Sequence, residues 1–172
     1  MNKIINYQNL NKLSKQLKTS TKVLVGGCFD LLHEGHFVFL KTAKKKGEIL
    51  LVALESDENI KKIKGNNRPI NNQLKRANEL SKLDYVDFVI LLPKGMTEKV
   101  YEDLVLTIKP QTIAITENDP KEINKKRVAE SVGARLITVV PYLSNYSTTK
   151  ILGALRGVDI IKVSEQREEN GN

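Results

Sequence analysis

Short runs of β-branched and aliphatic residues alternate with amphipathic stretches along this chain, and that alternation restricts its fold more than any other feature. Residues 22–26, 49–54, 86–92, 112–115 and 135–140 read as buried strands. Between them lie helical patterns at 7–18, where Leu10, Leu13 and Leu17 share a face, and at 35–46. A short basic helix follows Ser56-Asp57, a good capping pair, and runs into a loop at 65–69. Further helices are predicted from Asn71 or Asn72 to about 83, at 97–108, from Asp119-Pro120 to near Gly133, and from Ser147 onward. Strands separated by helices build βαβ units. With right-handed crossovers the result is an α/β fold, a doubly wound, Rossmann-like five-stranded parallel sheet. Ligands of such sheets bind beyond the carboxyl ends of the strands, at the switch point of strand order.

The 172 residues suffice for one such domain, expected over 1–160, with a polar tail at 161–172. No apolar run reaches the ~18 residues needed to span a bilayer, and the first thirteen residues carry no signal-peptide core. A cytoplasmic protein without membrane partners is expected. The single cysteine, Cys28, excludes an intrachain disulfide and a cysteine-based zinc site. The net charge of +8 favours anionic partners, although Lys41, Lys44, Lys45 and Lys46 read as a solvated helix face. Nucleic acid is the weaker choice of anion. Only 5% of residues are aromatic, none interleaved with the basic runs, and no recognition motif is present.

The chemistry concentrates in Gly26-Gly27-Cys28-Phe29-Asp30-Leu31-Leu32-His33-Glu34-Gly35-His36. Glycines at a strand end let backbone approach a phosphate. The two histidines of the chain flank Gly35 at the mouth of a helix, where free N–H groups and the macrodipole favour anions. Phosphoryl-type transfer depends on positioning and charge stabilisation, which such donors supply. A metal site at these histidines lacks a third ligand in the sequence. Cys28 has no acid–base partner for thiolate chemistry.

This segment resembles the Gly-x-Phe-Asp-x-x-His-x-Gly-His signature of the cytidylyltransferase-like nucleotidyltransferases. Three further segments match in order: Ser56-Asp57; Lys61-Lys62-Ile63-Lys64-Gly65 leading to Arg68-Pro69-Ile70-Asn71 and Arg76; and Ser147-Thr148-Thr149-Lys150-Ile151. The likeness covers roughly residues 4–156 and is greatest to the adenylyltransferase domain of ADP-heptose synthases. It implies that His33 and His36 hold the nucleotide phosphates and stabilise the transition state, with Lys64 near the reacting phosphates and Arg76 at the substrate or phosphate site. It places Gly27, Cys28, Phe29, Asp30 and Gly35 in the phosphate-contacting turn, and Ser147, Thr148 and Thr149 on the nucleotide. Lys61, Arg68 and Asp57 fall to the acceptor side, and a homodimer is implied.

The resemblance implies direct transfer of AMP, or of CMP, from a nucleoside triphosphate to a small phosphorylated acceptor, with pyrophosphate released. Mg²⁺ would accompany the triphosphate, held by phosphate oxygens and water. Glycerol-phosphate cytidylyltransferases and FMN adenylyltransferases share the pattern, and a nucleotide-binding regulator without catalysis would keep the fold. One stretch departs from it. After the fourth strand the family has glycine-rich segments, Lys-Gly-Gly-Asp-like in the heptose enzymes; here stand Ile115-Thr116-Glu117-Asn118-Asp119-Pro120. Lost glycines and a lost lysine imply a reshaped, less basic acceptor pocket, for which heptose 1-phosphate is not the best acceptor.

Overall fold

A computed structural model describes residues 2–140. Six parallel strands form one sheet in the order β1-β4-β3-β2-β5-β6. They are β1 (Ile4–Asn6), β2 (Lys22–Gly27), β3 (Ile49–Leu54), β4 (Phe88–Leu91), β5 (Thr112–Thr116) and β6 (Arg135–Val140). The helices are α1 (Leu10–Gln16, entered through a 3₁₀ turn at Tyr7–Asn9), α2 (Glu34–Lys44), α3 (Asp57–Lys64), α4 (Gln73–Ser81), α5 (Glu98–Ile108) and α6 (Glu122–Ser131). Strand order runs one way from β2 through β3 and β4, and the other way through β5, so the switch point lies between β2 and β5.

The expected doubly wound parallel sheet is present with six strands instead of five. The additional strand, β1, is three residues long and pairs its Ile4 and Ile5 with Val89 and Ile90 of β4. So short a segment carries no periodicity of its own; a partner more than eighty residues away makes it a strand. It also shortens the predicted first helix, because the turn at Tyr7–Asn9 must reverse the chain onto the sheet.

Alternating strand residues feed two apolar layers. Leu51 and Ala53 of β3 face one side, with Leu10, Leu13, Leu104, Ile108 and Val128 from α1, α5 and α6. Leu50, Val52 and Leu54 face the other, with Phe39, Leu40, Ala77 and Leu80 from α2 and α4. Side-chain caps set the starts of three helices. Ser56 Oγ accepts from Asn59 N–H at 3.3 Å, Asn72 Oδ1 from Lys75 N–H at 2.9 Å, and Thr97 Oγ1 from Val100 N–H at 3.3 Å. The start of α6 differs from expectation. Pro120 precedes the helix instead of opening it, and Asp119 accepts the Lys121 N–H at 2.8 Å while also binding Lys125 Nζ at 2.6 Å. The second bond draws Asp119 inward, so the chain makes a turn before the helix begins.

Among the described residues no helix is long and apolar enough to cross a membrane. The expected last helix, with Ser147, Thr148 and Thr149, and the tail lie outside the described residues.

Candidate active site

The carboxyl end of β2 runs straight into the histidine segment. Gly27 has half-buried backbone, and a Cβ placed on it would lie 2.9 Å from Cε2 of Phe29. A side chain there would force the Phe29 ring, which folds back over the strand end, to shift. Phe29 itself holds a positive φ of 42° while its ring is buried, a strained backbone that the surrounding packing must maintain. Gly26 meets only the Ala53 carbonyl, at an ordinary 3.9 Å, and is not sterically required.

Asp30 secures the turn from below. Its buried carboxylate accepts from Arg68 Nε at 2.6 Å, from Ile70 N–H at 2.9 Å and from Asn71 N–H at 3.1 Å. Burial alone would raise this carboxyl, but the donors from Asn71, Ile70 and Arg68 outweigh it and hold it below the ordinary range. Arg76 fastens the same region from α4. Its guanidinium is fully buried and donates to four oxygens: Asn71 O at 2.9 Å, Cys28 O at 2.5 Å, Glu55 O at 2.8 Å and Asp57 Oδ1 at 2.7 Å. It thus ties the ends of β2 and β3 to the loop before α4.

His33 and His36 stand on the turn so braced. His33 is the cap residue of α2, Gly35 lies in its first turn, and the two imidazoles stack with centroids 3.7 Å apart. The Phe29 ring lies 5.1 Å from the His36 ring. Burial, the neighbouring His33 and the Lys64 charge push His36 down to about 3, opposed in part by a hydrogen bond with the Leu31 backbone. Burial and Lys64 also lower His33. Both imidazoles are thus neutral at pH 7 without ligand, and His36 Nδ1 has no hydrogen-bond partner among the described residues.

Beside the turn, across the ends of β2, β3, β4 and β5, opens a cleft of about 740 Å³. Its floor includes Gly26, Gly27 and Cys28, and its cationic lining is Lys64, Lys121, Lys125 and Arg127. Leu92, Met96, Tyr101, Pro120 and Ile123 supply apolar wall. Burial pushes the Cys28 thiol up; Lys64 pulls it down, Glu55 raises it, and Arg76 and Lys121 lower it. Burial and then the Asp119 charge raise the Tyr101 phenol.

These positions sort the expected site residues. Gly27, Cys28 and Lys64 line the cleft; Phe29, Asp30, His33, Gly35 and His36 belong to the turn that follows and do not line it, although the Lys64 charge acts on both histidines. Arg76, Arg68 and Asp57 do not face it as ligands. The first two are buried and bonded to Asn71, Cys28, Glu55 and Asp30, and Asp57 is engaged by Arg76. Arg76 braces the turn, its donors meeting buried carbonyls at the sheet ends, whereas Arg68 pairs with Asp30 through Nε and keeps a buried Nη2 without a hydrogen-bond partner among the described residues. Lys61 is exposed on α3 and does not line the cleft. Of the 116–119 stretch only Asp119 lines the cleft, where it pairs with Lys125, and Lys121 of the same turn also lines it. Glu55, Tyr101, Lys121, Lys125 and Arg127 were not singled out in the sequence. Lys121 and Lys125 had the only local signal, a basic run right after the departing stretch.

Residues 24–154 match the family model described as cytidylyltransferase-like. The bifunctional protein HldE of Campylobacter fetus subsp. fetus is 36% identical over 155 residues, covering 90% of this chain and 32% of that protein. HldE of Helicobacter hepaticus is 33% identical over 162 residues, covering 94% of this chain and 32% of that protein. The chain thus spans about a third of the length of these curated relatives. Among solved structures, the lipopolysaccharide core biosynthesis protein of Thermoplasma volcanium is similar at 29% identity and TM-score 0.57, covering 74% of this chain and 99% of that one. The pantoate-beta-alanine ligase of Francisella tularensis, at 16% identity and TM-score 0.60, covers 92% of this chain and 78% of that one and shares the fold.

Proposed function

Because the chain belongs to the cytidylyltransferase-like family, we propose that it transfers a nucleotidyl group from a nucleoside triphosphate, ATP in preference to CTP, to a small phosphorylated acceptor. An acceptor phosphate oxygen attacks the α-phosphorus; the bond to the β-phosphate oxygen breaks, and pyrophosphate leaves. The observation that carries this reading is the stacked, neutral His33–His36 pair on the braced turn of α2, within reach of the Lys64 charge at the rim of a cleft at the carboxyl edge of the sheet. Imidazole N–H groups there can donate to phosphate oxygens, and the negative charge they meet favours their protonation. Lys64, exposed at the cleft edge, adds a cation on the same side. The preference for ATP rests on the likeness to ADP-heptose synthases.

We infer that Mg²⁺ would accompany the triphosphate, held by its phosphate oxygens and water. The cation would neutralise charge on the departing pyrophosphate.

The acceptor is the open part of the reading. Asp119 and Pro120, in the stretch that departs from the glycine-rich pattern, line the cleft although Thr116 and Glu117 do not, and we infer that heptose 1-phosphate is not the best acceptor. The test is pyrophosphate release from ATP and CTP with heptose 1-phosphate, glycerol 3-phosphate, other sugar phosphates and FMN. Turnover with ATP and one of these acceptors supports the proposal. Binding of ATP without pyrophosphate release for any acceptor would make the protein a nucleotide-binding regulator. A specificity constant highest for heptose 1-phosphate, at ~10⁴ M⁻¹s⁻¹ or above, would overturn the acceptor inference alone.

A further inference from the structure

The cations of the cleft are unequal. Lys125 Nζ lies 2.6 Å from Asp119 Oδ2, and both side chains are nearly buried, so this charge is already matched. Arg127 turns toward Glu102 at 3.5 Å and donates to Asn124 Oδ1 at 3.0 Å. Lys64 makes no ion pair among the described residues. Lys121 is the intermediate case. Its ammonium lies 3.6 Å from Glu55 Oε1, beyond hydrogen-bond distance, and its side chain is 52% exposed.

Glu55 cannot follow Lys121 outward. Its other carboxylate oxygen accepts from Asn59 Nδ2 at 2.6 Å, its N–H donates to Gly27 O at 3.1 Å, and its carbonyl is held by Arg76. The pair therefore joins a fixed carboxylate at the end of β3 to a movable ammonium on the turn before α6, across the cleft. The charges of Lys64 and Lys121 are both felt at Cys28, so they approach the end of β2 from α3 and from the α6 side. A phosphoryl group entering between them would offer Lys121 a more highly charged and better-placed partner than a carboxylate at 3.6 Å.

We propose that Lys121 is an acceptor-binding residue: loosely held against Glu55 in the empty cleft, it transfers to the phosphoryl group of the acceptor, opposite Lys64. This rests on the nucleotidyl-transfer reading for the identity of the ligand. It assigns the cationic contact to the segment that departs from the family's glycine-rich pattern. Glu55 is the counterpart that disfavours anions unable to replace it, so it sets a threshold of charge for entry.

The experiment uses the full chain and inorganic phosphate as probe, at constant ionic strength. Phosphate is titrated calorimetrically into protein both free and saturated with a non-hydrolysable ATP analogue, which occupies the histidine site. Lys121→Gln should weaken phosphate binding about tenfold in the nucleotide-loaded protein, while Lys121→Arg keeps most of it. Lys126→Gln, at an exposed lysine of α6 outside the cleft, should leave it unchanged. Equal phosphate affinity in Lys121→Gln and wild type overturns the proposal. So does an equal loss in Lys126→Gln, which would mean a diffuse positive field and no defined contact. With the acceptor found by the pyrophosphate screen, Lys121→Gln should raise its KM about tenfold and leave kcat and the KM for ATP within about twofold. A wild-type protein that releases no pyrophosphate sinks the transfer reading, whereas the phosphate titration still decides Lys121.

Discussion

Acidifying the solution from pH 7 to pH 5 should destabilise the protein by about 2 kcal/mol through His36. In the fold His36 titrates at about 3, held neutral by burial, the adjacent His33 and Lys64. In the unfolded chain it titrates near 6.5. Between those values the unfolded state binds the proton and the native state does not, so stability falls as pH falls. The stabilisation is complete above about pH 6.5 and is lost progressively down to about 3. Each pH unit inside that window is worth about 1.4 kcal/mol, and the step from 6.5 to 5 covers one and a half units. His33 is displaced in the same direction and adds to the slope. Carboxylates held low, such as Asp30, act mainly at lower pH, which keeps this window for the histidines. Guanidinium chloride unfolding at pH 7, 6 and 5 measures the slope, and His36→Gln should flatten it. The comparison is of slopes, because the substitution also alters packing beneath Phe29. ATP should counteract the loss, since a triphosphate against the imidazoles favours their protonated form and should bind more tightly at pH 5. Equal slopes in wild type and His36→Gln would falsify the argument that burial holds this imidazole neutral.

Three substitutions separate the braces of the site from its cationic edge. Arg76→Met should lower stability by about 3–5 kcal/mol, because it leaves Asp57 without its partner and three backbone carbonyls without a donor. A stable variant with a raised KM for nucleotide would return Arg76 to the phosphates. Lys64→Ala should change unfolding free energy by no more than about 0.5 kcal/mol while lowering turnover by ~10²-fold or more, measured by denaturant titration beside pyrophosphate release. Strong destabilisation would show that its charge serves the fold. Gly27→Ala should cost about 1–3 kcal/mol, since the new Cβ would meet the Phe29 ring at 2.9 Å, and it should impair turnover by shifting the ring that packs against His36. Wild-type stability and activity together would show that the ring has room to move.

Much of the architecture was legible in local pattern. The runs at β2, β3 and β5 are apolar for most of their length, and residues such as Ser56, Asn72 and Thr97 mark helix starts through hydrogen bonds to N–H groups three residues on. The glycine, phenylalanine and histidines of the turn lie within eleven consecutive residues, so the sequence alone could specify a turn carrying both histidines at a strand end. Tertiary structure decided everything that depends on partners distant in the chain. Ile4–Asn6 became a strand only through β4. Arg68 and Arg76 looked like substrate cations because an arginine in sequence carries no mark of burial; the fold encloses both, the oxygens of Cys28, Glu55, Asp57 and Asn71 taking the donors of Arg76 and Asp30 taking Nε of Arg68. The converse holds for Lys121, which the sequence did not single out: the crossover carries the β5–α6 turn over the end of β3 and sets its ammonium opposite Glu55. Periodicity and capping act over a few residues and can be read from the chain. Whether a charge braces the fold or meets a ligand depends on which strand ends the topology brings together.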